Sequence, residues 1–427
     1  MHRSSLCFVA EFAIGLAVSS AHPLGLVASI AMPAVAMRQP ERRAAYSSAI
    51  GYYAGALWPL VPCARNFFGP DVSLMTALAF WVVACAILGS PWLIVWSISS
   101  RQAWWRTPLG LALGVVPPLG IIGWASPLSA AGLLFPGTAW WGLAACALAP
   151  GLLAAWPRYA FPGLAALAAL CNATCAPLPL APTGWVAVNT HFGAIAHGRT
   201  SPTAEYAAAQ SIQRVALATD AKVIVFPETV VPTWTAATDT FWRPTLDRLQ
   251  ASGKTVIVGA LLPRSRGPVS RPRTRSGRAQ PISSGDLAAA IALLRDGPRP
   301  GVPLGDPTSA FAYDNAIVIR GAENAFLRQR IPVPIAMWKP FQQDGAHLHL
   351  FASGVISIRN QRAAVLICYE QLLAWPVIAS LCKRPSVVVA VANDHWVAGT
   401  VVAAYLRLAT GVWCRLFGLP FLSATNL

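Results

Sequence analysis

Two apolar runs in the second half of the chain end on groups that can do chemistry. Lys222-Val-Ile-Val-Phe-Pro-Glu228 closes on a carboxylate, and Ala363-Ala-Val-Leu-Ile-Cys368-Tyr-Glu370 closes on a thiol followed by a second carboxylate. A positioned carboxylate can exchange protons with a reacting group, and a thiolate is a strong nucleophile toward carbonyl carbon. A buried strand that stops at such a group delivers it to the carboxyl edge of a sheet, where active sites of parallel α/β folds collect. Taken singly, each residue has a plainer reading. Cys368 could be a buried strand cysteine, and Glu228 could cap a following helix. His347 and His349 alternate in Ala-His-Leu-His-Leu and so share one strand face. Without a third ligand they read as a polar loop edge, and no cysteine or histidine spacing predicts a metal site.

The elements needed to hold these groups are present around them. Trp185–Asn189, Lys222–Glu228, Thr255–Leu262, Ala316–Arg320, Val355–Arg359, Ala363–Cys368 and Ser386–Ala392 read as strands, and Thr203–Thr219 and Phe241–Ser252 as helices. Alternation of this kind predicts a layered α/β fold. An insertion over residues 264 to 309 interrupts it. Its first part, 264 to 280, carries Arg264, Arg266, Arg271, Arg273, Arg275 and Arg278 among prolines, serines and glycines, and Asp286–Arg295 has the pattern of a short helix. Such a basic tract cannot bury enough apolar surface to order itself, so a flexible solvated loop is the plainer reading and contact with anionic headgroups or nucleic acid the functional one. It does not amount to a specific nucleic-acid site.

The first part of the chain is of a different kind. Overall, 55% of residues are hydrophobic and 11% charged, which excludes an ordinary soluble domain, yet the formal net charge is +16. Residues 1 to 175 contain only Glu11, Glu41 and Asp71 as acids, eight arginines and no lysine. This predicts a membrane domain over 1–176, a proline-stiffened linker over 177–184 and an exported domain over 185–427. Apolar segments at 47–64, 73–98, 107–125, 130–156 and 159–176 read as spans, and 5–37, divided at His22-Pro23, reads as a helical hairpin, giving about seven crossings. A cleaved signal over 1–21 is disfavoured by Glu11 in the apolar stretch, a residue close enough to the start to reach the interface. Arg38, Arg42 and Arg43, then Arg101 and Arg106, then Arg158 mark three cytoplasmic loops, which sends the chain after residue 180 to the periplasm. Arg65 alone opposes this orientation. Cys7, Cys63, Cys85, Cys146 and Cys171 fall in apolar segments and read as small buried hydrophobes.

Three motifs occur in one order: Phe226-Pro-Glu228, Ile367-Cys368-Tyr369-Glu370 and Ala392-Asn393-Asp394-His395-Trp396. Together they resemble the nitrilase, or carbon-nitrogen hydrolase, superfamily. With a multi-span region in front, the chain resembles its membrane-bound branch, typified by apolipoprotein N-acyltransferase, and is similar to a conjugal-transfer subgroup called TraB. Tyr405–Asn426 looks like that branch's helix and following strand. The chain ends at Leu427, before the closing strands and C-terminal span that the acyltransferase resemblance implies.

The resemblance implies an α-β-β-α sandwich in the periplasm on a multi-pass bacterial inner-membrane anchor, and no cofactor. It implies Cys368 as nucleophile, Glu228 as general base and a lysine stabilising the oxyanion. The implied reaction is acyl transfer from a membrane phospholipid through a Cys368 thioester to an amine, such as that of a lipoprotein. Simple amide hydrolysis, or a degenerate scaffold serving conjugation machinery, are the alternatives. The lysine is missing from its place: the matching stretch reads Arg328-Gln329-Arg330-Ile331-Pro332-Val333-Pro334, and Lys339 lies beyond the Pro-x-Pro. Either Lys339 reaches the site, or Arg330 supplies the positive charge although arginine cannot exchange protons, or the triad is incomplete. Glu370 is expected to orient the site, and Asn393 and Trp396 to shape the pocket or serve as packing and turn residues.

Overall fold

A computed structural model describes residues 2–69, 72–193, 202–264, 312–342 and 344–427. The basic tract after Arg264 and the helix expected over Asp286–Arg295 lie outside the described residues.

The N-terminal part is a bundle of helices: α1 (His2–Ser19), α2 (Pro23–Ala28), α3 (Ala31–Met37), α4 (Arg42–Ala56), α5 (Leu60–Phe68), α6 (Leu74–Gly89), α7 (Pro91–Val95), α8 (Ala103–Val115), α9 (Ala131–Leu134), α10 (Ala139–Ala155) and α11 (Pro157–Thr174). Glycines let α1 and α4 touch backbone to backbone, since a Cβ on Gly51 would lie 2.6 Å from the Phe8 carbonyl and one on Gly55 2.2 Å from that of Phe12. Small residues at this seam let the two backbones approach closely.

The helices are shorter than the expected spans. Only Leu74–Val95, at 22 residues, is long and apolar enough to cross a bilayer among the described residues, while Ser5–Ser19, Pro23–Met37 and Ala139–Ala155 are apolar but shorter. Proline explains the breaks, because it removes an amide donor and disfavours helix at the residue before it. Pro59 separates α4 from α5 inside the expected 47–64 span, Pro117-Pro118 follows the end of α8 inside 107–125, and Pro136 divides α9 from α10 inside 130–156. Large apolar side chains nevertheless cover the bundle's exterior, among them Leu6, Val9, Met75, Val82, Ile94, Trp141, Phe161 and Leu170. The arginine-bearing turns gather at one end. Arg38 and Arg158 line the same groove, Gly151 packs on the Ala103 carbonyl, and the Trp96 indole N–H donates to the Gln39 carbonyl at 3.0 Å.

From Trp185 the chain builds two sheets. The first contains β1 (Trp185–Ala187), β2 (Val223–Val225), β3 (Val231–Thr233), β4 (Thr255–Pro263), β5 (Ala312–Gly321), β6 (Ala325–Arg328) and β7 (Gly345–Ala346), with the path β1-β2-β4-β5-β6. β1, β2 and β4 are parallel, and β5 and β6 turn antiparallel. The second sheet contains β8 (Val355–Ile358), β9 (Gln361–Ile367), β10 (Val387–Asn393) and β11 (Phe421–Asn426) in the order β11-β10-β9-β8.

Alternation assigns the faces. Ile224, Val256, Val258 and Val318 pack with α12 (Pro202–Ala218) and α13 (Ala236–Ala251), while Val225, Ile257, Ile317 and Ile319 share a core with Val365, Ile367, Val389 and Val391 of the second sheet. On that sheet's outer side, Ala364, Leu366 and Val388 meet α14 (Ala374–Leu381) and α15 (Val402–Phe417). Four layers result, α-β-β-α. The α15 backbone also rests on the helical bundle, where a Cβ on Gly132 would lie 1.7 Å from the Val412 carbonyl.

Candidate active site

Facing edges of the two sheets bring the reactive groups together. β2 ends at Val225, and Phe226, Pro227 and Glu228 lie along β4, with the Gly259 N–H donating to the Pro227 carbonyl at 3.0 Å. A Cβ on Gly259 would sit 2.4 Å from the Glu228 Cα and 2.3 Å from the Thr229 nitrogen, so only glycine lets this strand support the carboxylate so closely. From the second sheet, β9 ends at Ile367, and Cys368 opens a tight 3₁₀ turn, Cys368–Leu372. Thr229 at φ 49° and Cys368 at φ 48° are both in the left-handed region. Such backbone in non-glycine residues costs about 1–3 kcal/mol and collects at functional sites.

Glu228 is 4% exposed and has four neighbours that define it. The Asn315 amide donates to Oε1 at 2.6 Å, the Asn393 backbone N–H donates to Oε2 at 3.0 Å, and the Cys368 thiol, lining the same pocket, and Asp394 lie close enough to act on its charge. Burial pushes the carboxyl up to about 7, against the pull of Asn315, Cys368 and Asn393. Burial and the adjacent Glu228 charge push the Cys368 thiol well above its ordinary value, while the Trp396 indole, which can only donate, pulls it down. The resting pair is therefore a thiol beside a carboxyl that titrates near neutrality. A carboxyl that titrates there can exchange a proton with a neighbouring thiol.

The expected cations are elsewhere. Val333–Trp338 forms a tight turn, in which the Met337 and Trp338 N–H groups donate to the Val333 carbonyl at 2.9 and 3.1 Å, and Ile335 adopts φ 67°. Val333, Ala336 and Met337 line the small pocket of about 50 Å³ beside Glu228 and Cys368. Lys339 falls beyond the turn and pairs with Asp344 at 3.0 Å. Arg330 and Glu370, each 1% exposed in the side chain, form a buried knot behind Cys368. Glu370 accepts from the backbone N–H groups of Arg330, Ile331 and Ile367 at 2.6, 3.3 and 3.2 Å, while Arg330 also donates to Ser380 Oγ and the Pro376 carbonyl at 2.8 Å. Glu370 thus ties the turn to Arg330 and Ile331, and Arg330 is engaged in the same contacts. Neither expected cation lines the pocket among the described residues.

Two polar residues that sequence reasoning missed fill the space between. Gln329 accepts from Asn315 at 2.9 Å and donates to the Ile367 carbonyl at 2.9 Å, linking the Glu228 support to the residue before Cys368. A signal was available, because Asn315 is a polar residue inside an apolar strand and Gln329 lies in the stretch where a lysine was sought. His347 and His349 pair with Arg264 and Asp314 at 3.1 and 2.7 Å, and no group of three potential metal ligands occurs among the described residues.

Beside this pocket lies a second cavity of about 450 Å³ with almost wholly apolar walls. Leu57 just after α4, Leu60 and Phe67 of α5, and Phe80 and Val83 of α6 line it, and the α/β part contributes Val333, Ile335, Tyr369 and Trp396. Phe67, Val333, Ala336 and Trp396 line both spaces. The helical part is tied to the site by direct bonds. Tyr369 donates to the Ile121 carbonyl at 2.9 Å, and Asn66 donates to the Ala398 carbonyl at 3.0 Å.

No protein-family model matches the chain. Among solved structures, a cysteine-to-serine mutant of an amidase of the nitrilase superfamily from Nesterenkonia AN1 aligns with 57% of this chain and 75% of its own, at 10% identity and a TM-score of 0.32. The conjugal transfer protein TraB of Agrobacterium fabrum (strain C58) is 28% identical over 446 residues, covering 99% of this chain and 93% of its own length. The probable conjugal transfer protein TraB of Sinorhizobium fredii (strain NGR234) is 30% identical over 432 residues, covering 99% of this chain and 97% of its own. At that identity over nearly the whole of both chains, this protein belongs to the TraB family of conjugal transfer proteins.

Proposed function

We propose that this chain is a membrane-seated cysteine acyltransferase acting within conjugal transfer, with residues 1–176 as its multi-pass inner-membrane part and 185–427 as its periplasmic part. The observation that carries the reading is that Glu228 and Cys368 line one small buried pocket next to an apolar cavity built jointly by the helices and the sandwich. At about 450 Å³ the cavity is within the about 300–1,000 Å³ of typical ligand sites. Its walls suit an acyl chain far better than a polar amide. The apolar exterior of the helical bundle, and the nearness of Arg38 to Arg158 and of Arg106 to the Trp96–Gln39 contact at one end, support the membrane seat and its orientation.

In the first half-reaction Glu228 takes the Cys368 proton as sulfur attacks the ester carbonyl of a phospholipid. Collapse forms the thioester, and Glu228 returns the proton to the departing lysophospholipid alkoxide. In the second, an amine attacks the thioester, Glu228 accepts an amine proton, and the amide leaves as the proton passes to the Cys368 sulfur. Water-poor walls favour transfer over hydrolysis. A second reading, a scaffold that binds partners in the conjugation machinery, is favoured by the lack of lysine or arginine in the pocket lining among the described residues. Lipid mass spectrometry separates the two. Protein reconstituted in phosphatidylethanolamine/phosphatidylglycerol vesicles is expected to release lysophospholipid stoichiometrically with enzyme, and Cys368→Ala is expected to release none. Equal release from both would remove the acyltransferase reading.

A further inference from the structure

Acyl chemistry at Cys368 needs a hydrogen-bond donor at the carbonyl oxygen, and the positions of Lys339 and Arg330 leave that task open. Resting on the acyl-transfer reading above, we infer that the Asn393 side-chain amide is the donor that binds the developing oxyanion.

Asn393 ends β10 and lines the same small pocket as Cys368 and Glu228. It is 4% exposed, and its Nδ2 is fully buried without a partner. The orientation of the amide is fixed rather than arbitrary. Its Oδ1 accepts from Asn426 Nδ2 at 3.1 Å and from the His395 N–H at 3.4 Å, so the oxygen must face β11 and the following turn, and the NH₂ must face away from them. Asn426 is itself held, accepting from Thr190 Oγ1 and the Phe192 N–H at 2.8 and 2.9 Å and donating to the Gly193 carbonyl at 2.9 Å. The Asn393 backbone N–H is meanwhile committed to Glu228.

A buried, unpaired N–H is costly, about 1–3 kcal/mol, and its persistence in a native site calls for an explanation. A substrate oxygen supplies one. As sulfur bonds to the carbonyl carbon, the π electrons move to oxygen, and Asn393 donates a hydrogen bond to that oxygen without giving up a proton. A neutral amide held in place in a dry site can serve as an oxyanion donor worth about 10²–10³ in rate.

Two reactions of one thiol isolate this role. Acylation of Cys368 by p-nitrophenyl decanoate passes through an oxyanion, whereas alkylation by iodoacetamide displaces iodide at saturated carbon and does not. Asn393→Ala and the isosteric Asn393→Asp are expected to slow acylation by about 10²–10³, with alkylation within a few-fold of the unmodified protein. Alkylation also reports whether each variant keeps a folded site. Acylation at the wild-type rate in both variants, or equal loss of both reactions, overturns the assignment of Asn393 alone. Failure of the unmodified protein to acylate while it still alkylates overturns the acyl-transfer reading and this inference with it.

Discussion

Two buried polar clusters lie a few residues apart in this protein, and they are finished to different degrees. In the Arg330–Glu370 knot both Glu370 oxygens are bonded, and every nitrogen of the Arg330 guanidinium donates. In the neighbouring cluster around Glu228, Asn393 Nδ2, Asn315 Oδ1 and Asp394 Oδ1 are buried without partners, and burial pushes the Glu228 carboxyl up to about 7. A cluster whose hydrogen-bonding capacity is spent holds backbone in place. One with capacity to spare is prepared for something that arrives. The knot fixes the turn that carries Cys368 into the pocket.

Each cluster can be broken separately. Glu228→Gln removes the base while keeping the shape, and is expected to slow Cys368 acylation by about 10²–10⁴, read with an activated ester. Arg330→Ala should instead destabilise the fold by about 3–5 kcal/mol in denaturant titrations, because it strands the buried Glu370 carboxylate. Replacing Arg330 and Glu370 together with Met and Leu should recover much of that loss. Between these lies pH. Glu228 has its folded pKa at about 7, above the ordinary 4.5, so the alkylation rate of Cys368 should rise with pH through a midpoint near 7. The same sign makes the stability contribution of this group fall as pH rises from about 4.5 to about 7, a slope that Glu228→Gln should flatten. Smallest of all is Lys339→Ala. Its partly exposed pair with Asp344 is worth about 0–1 kcal/mol, and acylation should be unchanged.

What the sequence disclosed follows from how local each signal is. Glu228 and Cys368 close apolar runs, and strand β9 and strand β10 announce themselves by seven-residue blocks whose buried positions can hardly be anything else. The sandwich layers follow from such alternation. Nearness in sequence to a Pro-x-Pro does not say which side of a turn a side chain takes, and Lys339, four residues beyond the positive-φ Ile335, pairs with Asp344. Asn315 and Gln329 were passed over because their importance lies in contacts to Glu228 and Ile367, which are distant in the chain. Unbroken spans were expected from apolar composition alone, which does not register where Pro59 or Pro117-Pro118 ends a helix.

A covalent acyl intermediate on Cys368 would appear in the intact mass of the protein. After incubation in phospholipid vesicles, the unmodified protein should gain the mass of one acyl chain, lose it on treatment with neutral hydroxylamine, and show no gain as Cys368→Ala. No acyl mass on the unmodified protein, or the same mass on Cys368→Ala, would contradict it.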